Sequence, residues 1–414
     1  MGMDDARSPE KQVLKLNDLI IEARRLVPVV KERAVEAQNL RQIPEETMAD
    51  FRVAGFCRHY TPKRFGGLEL DWGAHTTLAE EIARGCASSA WMVAVVLSHS
   101  WIVARFSEVA QRAVFEPDPD VVIASAFAGE GEMTKVEGGY HVNGKWAFAS
   151  GVHHASWTII GAQVPTAKTL TPNVRPPYRM ALLRADQYEI IDDWYSEGLK
   201  GTGSSSLKAT DQFVPEELTM LSDDMTRCSP VGALLHDSYI YGVELVPYLE
   251  SSFVGPLIGA AKGALADYLE ITKARRGREF GEKVSSQNSV QARVAESIMD
   301  IRTADRLTKD VMEGLHQDGI AKRAVVGERW VMQRLTFTYA ARLCVQAVDR
   351  LVSMMGATGQ IGNNPVQRQF RDIRAIAAHT SFIWDKAAIP VGKWALGLQT
   401  GDPSVDDSED VFKI

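Results

Sequence analysis

Four cysteines are scattered through 414 residues, at Cys57, Cys86, Cys228 and Cys344. None forms a Cys-x-x-Cys pair, so neither a disulfide framework nor a thiolate zinc site is indicated. Buried free thiols in a reducing compartment are the expectation. Long hydrophobic runs are also missing. The longest apolar stretches, such as Ala90–Leu97, fall well short of the roughly 20 residues that cross a bilayer. The first residues are charged and carry no apolar segment of the secretory kind. A cytoplasmic protein without a membrane partner is therefore expected. Nor is there any excess of positive charge. Lys and Arg number 46 against 53 Asp and Glu, for a net charge of −7, and a nucleic-acid surface needs clustered cations. Internal repeats and low-complexity tracts are absent.

Apolar material is plentiful, at 45% of residues, enough for two or three packed domains at this length. The first third has helical spacing, clearest in Lys11–Leu40, where Leu14, Leu19, Leu26 and Val30 recur between charges. Pro44 opens a short helix. Leu78–Arg84 and Ser88–Phe106 read as buried helices. The cluster Pro117-Asp118-Pro119-Asp120 then breaks the pattern. Beyond it lie short runs of strand chemistry: Val121–Phe127, Tyr140–Val142, Trp146–Ala149, Trp157–Gln163, Met180–Leu183 and Gln212–Val214. Asn143-Gly144 between two of them is a hairpin signal. Helical periodicity returns over Phe253–Ala274, Ser289–Leu315, Gly327–Met355 and Pro365–Ala378. The fold class is α+β, mainly α. It divides into a helical domain over 1–116, an antiparallel β-domain over 117–230, and a helix bundle over 231–414.

That three-part order resembles the acyl-CoA dehydrogenase fold over nearly the whole chain. Arg276-Gly277-Arg278-Glu279-Phe280-Gly281, Gly356-Ala357-Thr358-Gly359 and Arg368 with Arg371-Asp372 carry the likeness in the last third. A closer similarity is to the oxygenase components of two-component flavin monooxygenases built on that fold, such as the 4-hydroxyphenylacetate hydroxylases. It rests on Tyr60-Thr61-Pro62-Lys63-Arg64-Phe65-Gly66-Gly67, Ser89-Ala90-Trp91, Ser98-His99-Ser100, Ser150-Gly151-Val152-His153-His154, Gly201-Thr202-Gly203-Ser204 and Ala347-Val348-Asp349-Arg350-Leu351 in that order. Acyl-CoA dehydrogenases use a glutamate near residue 379 to abstract a proton. Here no acid lies between Asp372 and Asp385, and His379 stands in the gap.

The resemblance implies reduced FAD, with FMN as an alternative, dioxygen as co-substrate, a C4a-hydroperoxide route, and a separate NAD(P)H:flavin reductase. It implies a homotetramer, because the flavin site of this family is shared between subunits. His99 would polarise or deprotonate a substrate hydroxyl, a task suited to an imidazole titrating near neutrality. Read from the residues alone, it is a histidine inside an apolar helix. Ser125 would help hold the same hydroxyl, and Trp91 would wall the pocket. Phe148 and Ser150 would lie along the flavin, with Ser150 at N5, and His379 would assist on the oxygen side. Phe280, Gly356, Thr358 and Gly359 would contact the cofactor, and Arg276 or Arg278 would meet its pyrophosphate.

The segment Tyr239–Tyr248 holds Glu244 but no Lys or Arg, which points to an uncharged phenol or indole. A dehydrogenase oxidising a thioester with a base from another helix, an S- or N-oxygenase on the same scaffold, and a non-catalytic assembly module are the alternatives. His153-His154 would point to opposite faces of a strand, so no metal is expected. Ser204-Ser205-Ser206 lacks the Gly-x-Ser-x-Gly elbow of serine hydrolases.

Overall fold

The computed structural model describes residues 14–165, 176–276, 281–401 and 403–406. Helices come first, with Leu16–Glu32, Ala34–Leu40, Glu45–Val53 and Ala74–Ala83 as the main ones. A sheet follows, built from β1 (Ile123–Ala126), β2 (Ala128–Val136), β3 (Gly139–Ala147), β4 (Trp157–Gln163), β5 (Tyr178–Arg184), β6 (Glu189–Ile191), β7 (Ser206–Pro215) and β8 (Thr219–Leu221). Its order is β6-β7-β3-β2-β4-β5-β8, with β1 on β4. The chain ends in helices Leu245–Ser251, Val254–Ala274, Asn288–Ile320, Glu328–Met354, Pro365–Ala377 and Trp384–Ala395. No helix among the described residues is long and apolar enough to cross a membrane.

Some expectations need correcting. The sheet is mixed rather than wholly antiparallel, because β1 and β2 both pair with β4 in parallel. Asn143-Gly144 does not make a hairpin. It lies within β3, opposite Glu132 and Gly131 of β2, and the turn falls at Gly138, whose φ is +75°. The glycines are there for Trp146. A Cβ on Gly131 would come within 2.4 Å of its ring, and one on Gly144 within 2.8 Å. The Trp146 indole is wholly buried and donates to Gly161 O at 2.7 Å. Cys57, Cys86 and Cys344 are buried as expected, but Cys228 is exposed, its thiol donating to Glu244 Oε1 at 2.9 Å. His153 and His154 sit in a tight helical turn, not on a strand. Their ring nitrogens are taken by Ser205 Oγ, Ile43 O and Glu45.

The two helical parts meet along a glycine stripe. Gly255, Gly259 and Gly263 recur every fourth residue on Val254–Ala274 and face Ala74–Ala83 and its C-terminal end. A Cβ on each would meet the carbonyl oxygens of Thr76, Glu80 and Arg84 at 2.4, 2.0 and 2.5 Å. The backbones therefore approach more closely than any side chain allows. Lys262 closes one edge of this contact, reaching Glu80 at 2.6 Å and Asp305 at 3.0 Å.

Candidate active site

The segment carrying Trp91 and His99 is not one continuous helix. Ala87–Trp91 runs into a π-helical turn over Met92–Val96, and a short helical turn restarts at Ser100–Val103. Val93, Val95 and Val96 are β-branched, which weakens regular helix, and the run is buried on every side. Wide turns of this kind redirect the side chains that follow. His99 lies at the restart and points at β1. Its Nδ1–H donates to Ile123 O at 2.7 Å, and Ser125 Oγ lies 3.2 Å from Nε2. A carbonyl only accepts, so the ring proton is on Nδ1 and the Nε2 lone pair faces Ser125. Burial lowers the imidazole to about 4. The expected titration near neutrality is thus corrected: His99 is a neutral acceptor throughout the physiological range.

Trp91, Phe253 and His379 form a second group. The Trp91 and Phe253 rings stack at 5.3 Å, and His379 lies 4.1 Å from Phe253 and 6.0 Å from Trp91 between ring centroids. His379 is delivered by the helix Pro365–Ala377. Asn364 caps that helix, its side chain accepting from Val366 N at 2.9 Å, and Pro365 occupies the first turn. Gln369 anchors it to the N-terminal helices by donating to Ala83 O at 2.9 Å. Asp372 anchors it to the sheet domain by accepting Leu199 N–H at 2.7 Å. That buried carboxylate is committed to backbone and does not replace the missing glutamate. Burial also lowers His379 to about 4. Ser381 N–H donates to its Nδ1 at 3.3 Å, which leaves the ring proton on Nε2. The two histidines are thereby fixed in opposite tautomers, His99 with an Nε2 lone pair that accepts from the Ser125 hydroxyl and His379 with an N–H at Nε2.

Glu250, which the sequence did not single out, approaches from another helix. Its carboxyl lies 3.3 Å from Arg334 Nε, and burial pushes it up to about 7.

Ser150 follows β3 through a strained turn. Phe148 has φ +62° yet is not glycine, a conformation that costs about 1–2 kcal/mol. Its ring is 63% exposed and meets Trp194 edge-on at 6.3 Å. The turn brings Ser150 Oγ to 3.2 Å from Trp91 Nε1 and 2.7 Å from Ser204 Oγ. Ser204 continues to Thr202 Oγ1 at 2.7 Å, and Thr202 donates to Leu199 O at 2.9 Å. In the sequence Thr202 and Ser204 stand out only through the Gly201-Thr202-Gly203-Ser204 run and, for Ser204, the Ser204-Ser205-Ser206 triplet. Phe253 is marked in the sequence only as the first residue of the periodic segment Phe253–Ala274, with nothing to single it out for a site.

Gly356, Thr358 and Gly359 lie in one turn after the helix Glu328–Met354. Gly356 has φ +58° and is exposed, its nearest neighbour for a Cβ being Arg275 Nη2 at 4.0 Å. Gly359 is buried, and its missing side chain makes room for Val352 O, 2.8 Å from where a Cβ would stand. Thr358 is exposed. Arg276 is exposed and donates to Gly281 O at 3.1 Å. Arg275, which belongs to none of the motifs above, holds Met354 O at 3.1 Å directly beside the glycine turn. Arg278 and Phe280 lie outside the described residues. A surface cavity of about 660 Å³ opens beside this turn, lined by Arg293, Gln346, Asp349, Arg350, Ser353 and Met354.

These features fit a flavin. Phe148 offers an exposed apolar face on a strained backbone, the Trp91–Ser150–Ser204 hydrogen bonds offer a polar edge, and the Gly356 turn is open to close approach. His379 adds an N–H donor where a dehydrogenase would carry a carboxylate.

Comparison with known proteins agrees. Residues 22–118 match the acyl-CoA dehydrogenase N-terminal domain, and residues 251–384 match the acyl-CoA dehydrogenase C-terminal domain. The chain is 31% identical to the flavin-dependent monooxygenase oxygenase subunit HsaA of Mycobacterium tuberculosis, over 92% of this chain and 95% of that protein. It is 29% identical to the p-hydroxyphenylacetate 3-hydroxylase oxygenase component of Acinetobacter baumannii, over 92% of this chain and 89% of that one. The crystal structure of the M. tuberculosis HsaA monooxygenase superposes with a TM-score of 0.86 at 29% identity, covering 95% of this chain and all of that one. XiaF from Streptomyces, solved with FADH2 and glycerol, shares the fold with a TM-score of 0.86 at 22% identity, over 94% of this chain and 98% of XiaF.

Proposed function

Because the chain belongs to the flavin-dependent oxygenase components of the acyl-CoA dehydrogenase fold, we propose that it oxygenates a small, uncharged aromatic ring bearing an O–H or N–H donor. It is the oxygenase component of a two-component monooxygenase. It works on reduced flavin and dioxygen and depends on a separate reductase component. Relatives are named for p-hydroxyphenylacetate, resorcinol and indole-3-acetate; all three rings carry such a donor, but only resorcinol lacks a carboxylate, so the uncharged class proposed for this chain rests on its own residues.

The observation that carries the substrate class is the acceptor Nε2 of His99, which takes the rotatable Ser125 hydroxyl at 3.2 Å and can exchange it for a substrate donor. It accepts a hydrogen bond from a phenol O–H or an indole N–H and polarises that bond toward the ring. An imidazole held near 4 does not take a phenol proton outright, because phenols hold theirs to about 10. Its contribution is to raise the electron density of the ring as the oxygen arrives. Lack of charge on the substrate is supported by Arg105. This buried cation packs beside Trp101, six residues along the chain from His99, and has all its donors on the carbonyls of Met225, Arg227, Tyr241 and Val243. It has none left for a substrate carboxylate.

Bound reduced flavin supplies the electrons that activate dioxygen. Trp91 and Phe253 exclude water from the pocket, and Ser150 holds the flavin ring at its polar edge. His379 keeps a proton on Nε2 and offers it as a donor on the oxygen side. Phe148 lies along the ring. Arg276 or Arg278, Phe280, Gly356, Thr358 and Gly359 serve the phosphate end. A homotetramer would bring the glycine turn of one subunit to the flavin of another. The exposed apolar residues Ile383, Trp384, Ile389 and Leu396 of the last helices support such an assembly.

The test is anaerobic loading with reduced flavin, then mixing with oxygen and a panel of phenols, indoles and their carboxylated analogues. Oxygenated product from the uncharged members, with weaker turnover of the carboxylated ones, is expected. Bleaching of oxidised flavin by an acyl-CoA thioester, with no oxygenated product from any ring, would overturn the reading.

A further inference from the structure

Four hydrogen bonds run in series from Trp91 to Leu199. Trp91 Nε1 lies 3.2 Å from Ser150 Oγ, Ser150 Oγ 2.7 Å from Ser204 Oγ, Ser204 Oγ 2.7 Å from Thr202 Oγ1, and Thr202 Oγ1 2.9 Å from Leu199 O. An indole N–H can only donate, and a carbonyl can only accept. With an obligate donor at one end and an obligate acceptor at the other, only one proton order makes every link. The Thr202 hydrogen goes to Leu199 O, the Ser204 hydrogen to Thr202, the Ser150 hydrogen to Ser204, and the Trp91 hydrogen to Ser150. Reversing any hydroxyl breaks a link. Ser204 and Thr202 are buried, where an unmade hydrogen bond has no water to replace it. Leu199 is itself fixed, because Asp372 holds its N–H at 2.7 Å.

The consequence falls on Ser150. Its hydrogen is committed to Ser204, so toward the pocket it presents a lone pair and no donor. The two redox forms of flavin differ at just this kind of contact. Reduced flavin carries a hydrogen on N5 and donates. Oxidised flavin has a bare lone pair on N5 and accepts. Resting on the placement of Ser150 at the flavin edge proposed above, we infer that Ser204 and Thr202 make the site selective for reduced over oxidised flavin by holding Ser150 as an obligate acceptor. They act as positioning residues, through the hydroxyl of Ser150. The device suits a protein that takes flavin already reduced and must release it once oxidised.

The experiment measures dissociation constants of oxidised flavin in air and of reduced flavin under anaerobic conditions, for the full-length protein and its variants. Thermal melts confirm folding. In Ser204→Ala the hydrogen of Ser150 is freed to donate, so oxidised flavin should bind more tightly and the ratio of the two constants should narrow roughly tenfold, the worth of one hydrogen bond. Thr202→Val keeps the side-chain shape, removes the same ordering one link further on, and should move the ratio in the same direction. Ser150→Ala is the control. If it changes neither affinity, Ser150 does not face the flavin, and both the placement and the inference fall. If Ser150→Ala narrows the ratio while Ser204→Ala and Thr202→Val leave it unchanged, the placement stands and the proton-order inference is overturned.

Discussion

His99 and His379 are the same residue type, both lowered to about 4 by burial, yet one accepts and the other donates. Backbone partners make the difference: Ile123 O takes the Nδ1 proton of His99, and Ser381 N–H occupies Nδ1 of His379. No sequence pattern encodes a tautomer, because it depends on which backbone atom a fold brings to the ring. If His99 polarises the substrate, His99→Ala should separate oxygen consumption from oxygenation. Product formation is expected to fall on the order of 100-fold, in line with the loss of one preorganised hydrogen bond to the reacting group, while oxygen is still reduced. Paired oxygen-electrode and product measurements check this, and an unchanged product yield would remove His99 from its role. Phe148 is the other telling residue. Its positive φ was invisible in the sequence, since phenylalanine rarely adopts it. Phe148→Asn should raise unfolding free energy by about 1 kcal/mol, because Asn tolerates the left-handed region and the ring it replaces is mostly exposed. Flavin affinity should fall at the same time. Denaturant melts and flavin titration read the two effects separately.

At the scale of elements, the long helices were legible because apolar periodicity survives in them. Phe253–Ala274 was expected and Val254–Ala274 is found; Pro365–Ala378 was expected and Pro365–Ala377 is found. The failures share a cause. Ser88–Phe106 was expected as one helix because a fully buried segment is apolar all round and hides a π turn. Tyr140–Ala149 was expected as a hairpin because Asn-Gly serves turns, whereas here Gly144 yields space to Trp146. β2 was missed altogether: most of it is exposed, and its Glu, Gly, Lys and Thr residues carry little strand signal. The glycine stripe on Val254–Ala274 is where element packing can be tested. Gly259→Ala would set a methyl 2.0 Å from Glu80 O and 2.7 Å from Ala83 Cβ. The helices must separate, and a loss of roughly 1–3 kcal/mol is expected, measured by urea unfolding. A variant as stable as the parent would mean that the two helices have slack the structure does not display.

For the molecule as a whole, buried histidines set the response to acid. His59 and His99 are held at about 4 and His75 well below its usual value, in each case mainly by burial. Between about pH 4 and pH 6.5 the unfolded chain therefore binds more protons at these sites than the folded one. Their contribution to stability is complete above about pH 6.5 and is lost as pH falls toward 4. Glu250, pushed up to about 7, works in the opposite sense: its contribution is full below the usual carboxylate range and is lost as pH rises through about 7. Asp267 and Asp372, also raised by burial, act in that same sense, but His153, His154, His236 and His379 are lowered by burial too, so the histidines outweigh the carboxyls and Tm should fall as pH drops from about 7 to about 5. Calorimetry at matched ionic strength measures it, and a Tm that held or rose on acidification would contradict the buried, neutral state of these rings.

The sequence alone determined the order of helical, sheet and helical parts, the absence of an acid between Asp372 and Asp385, and the set of polar residues that resemble those of flavin oxygenases. These are properties of composition, spacing and local period, which a linear chain carries in full. Tertiary structure decided the rest. Asp372 became a backbone anchor, His99 an acceptor and His379 a donor, and Arg105 was committed to carbonyls. Trp91 and Ser150 met although 59 positions separate them. Each of these outcomes depends on which partner stands within about 3 Å of a polar atom once water is excluded. That partner comes from a distant part of the chain, and only the fold brings it there.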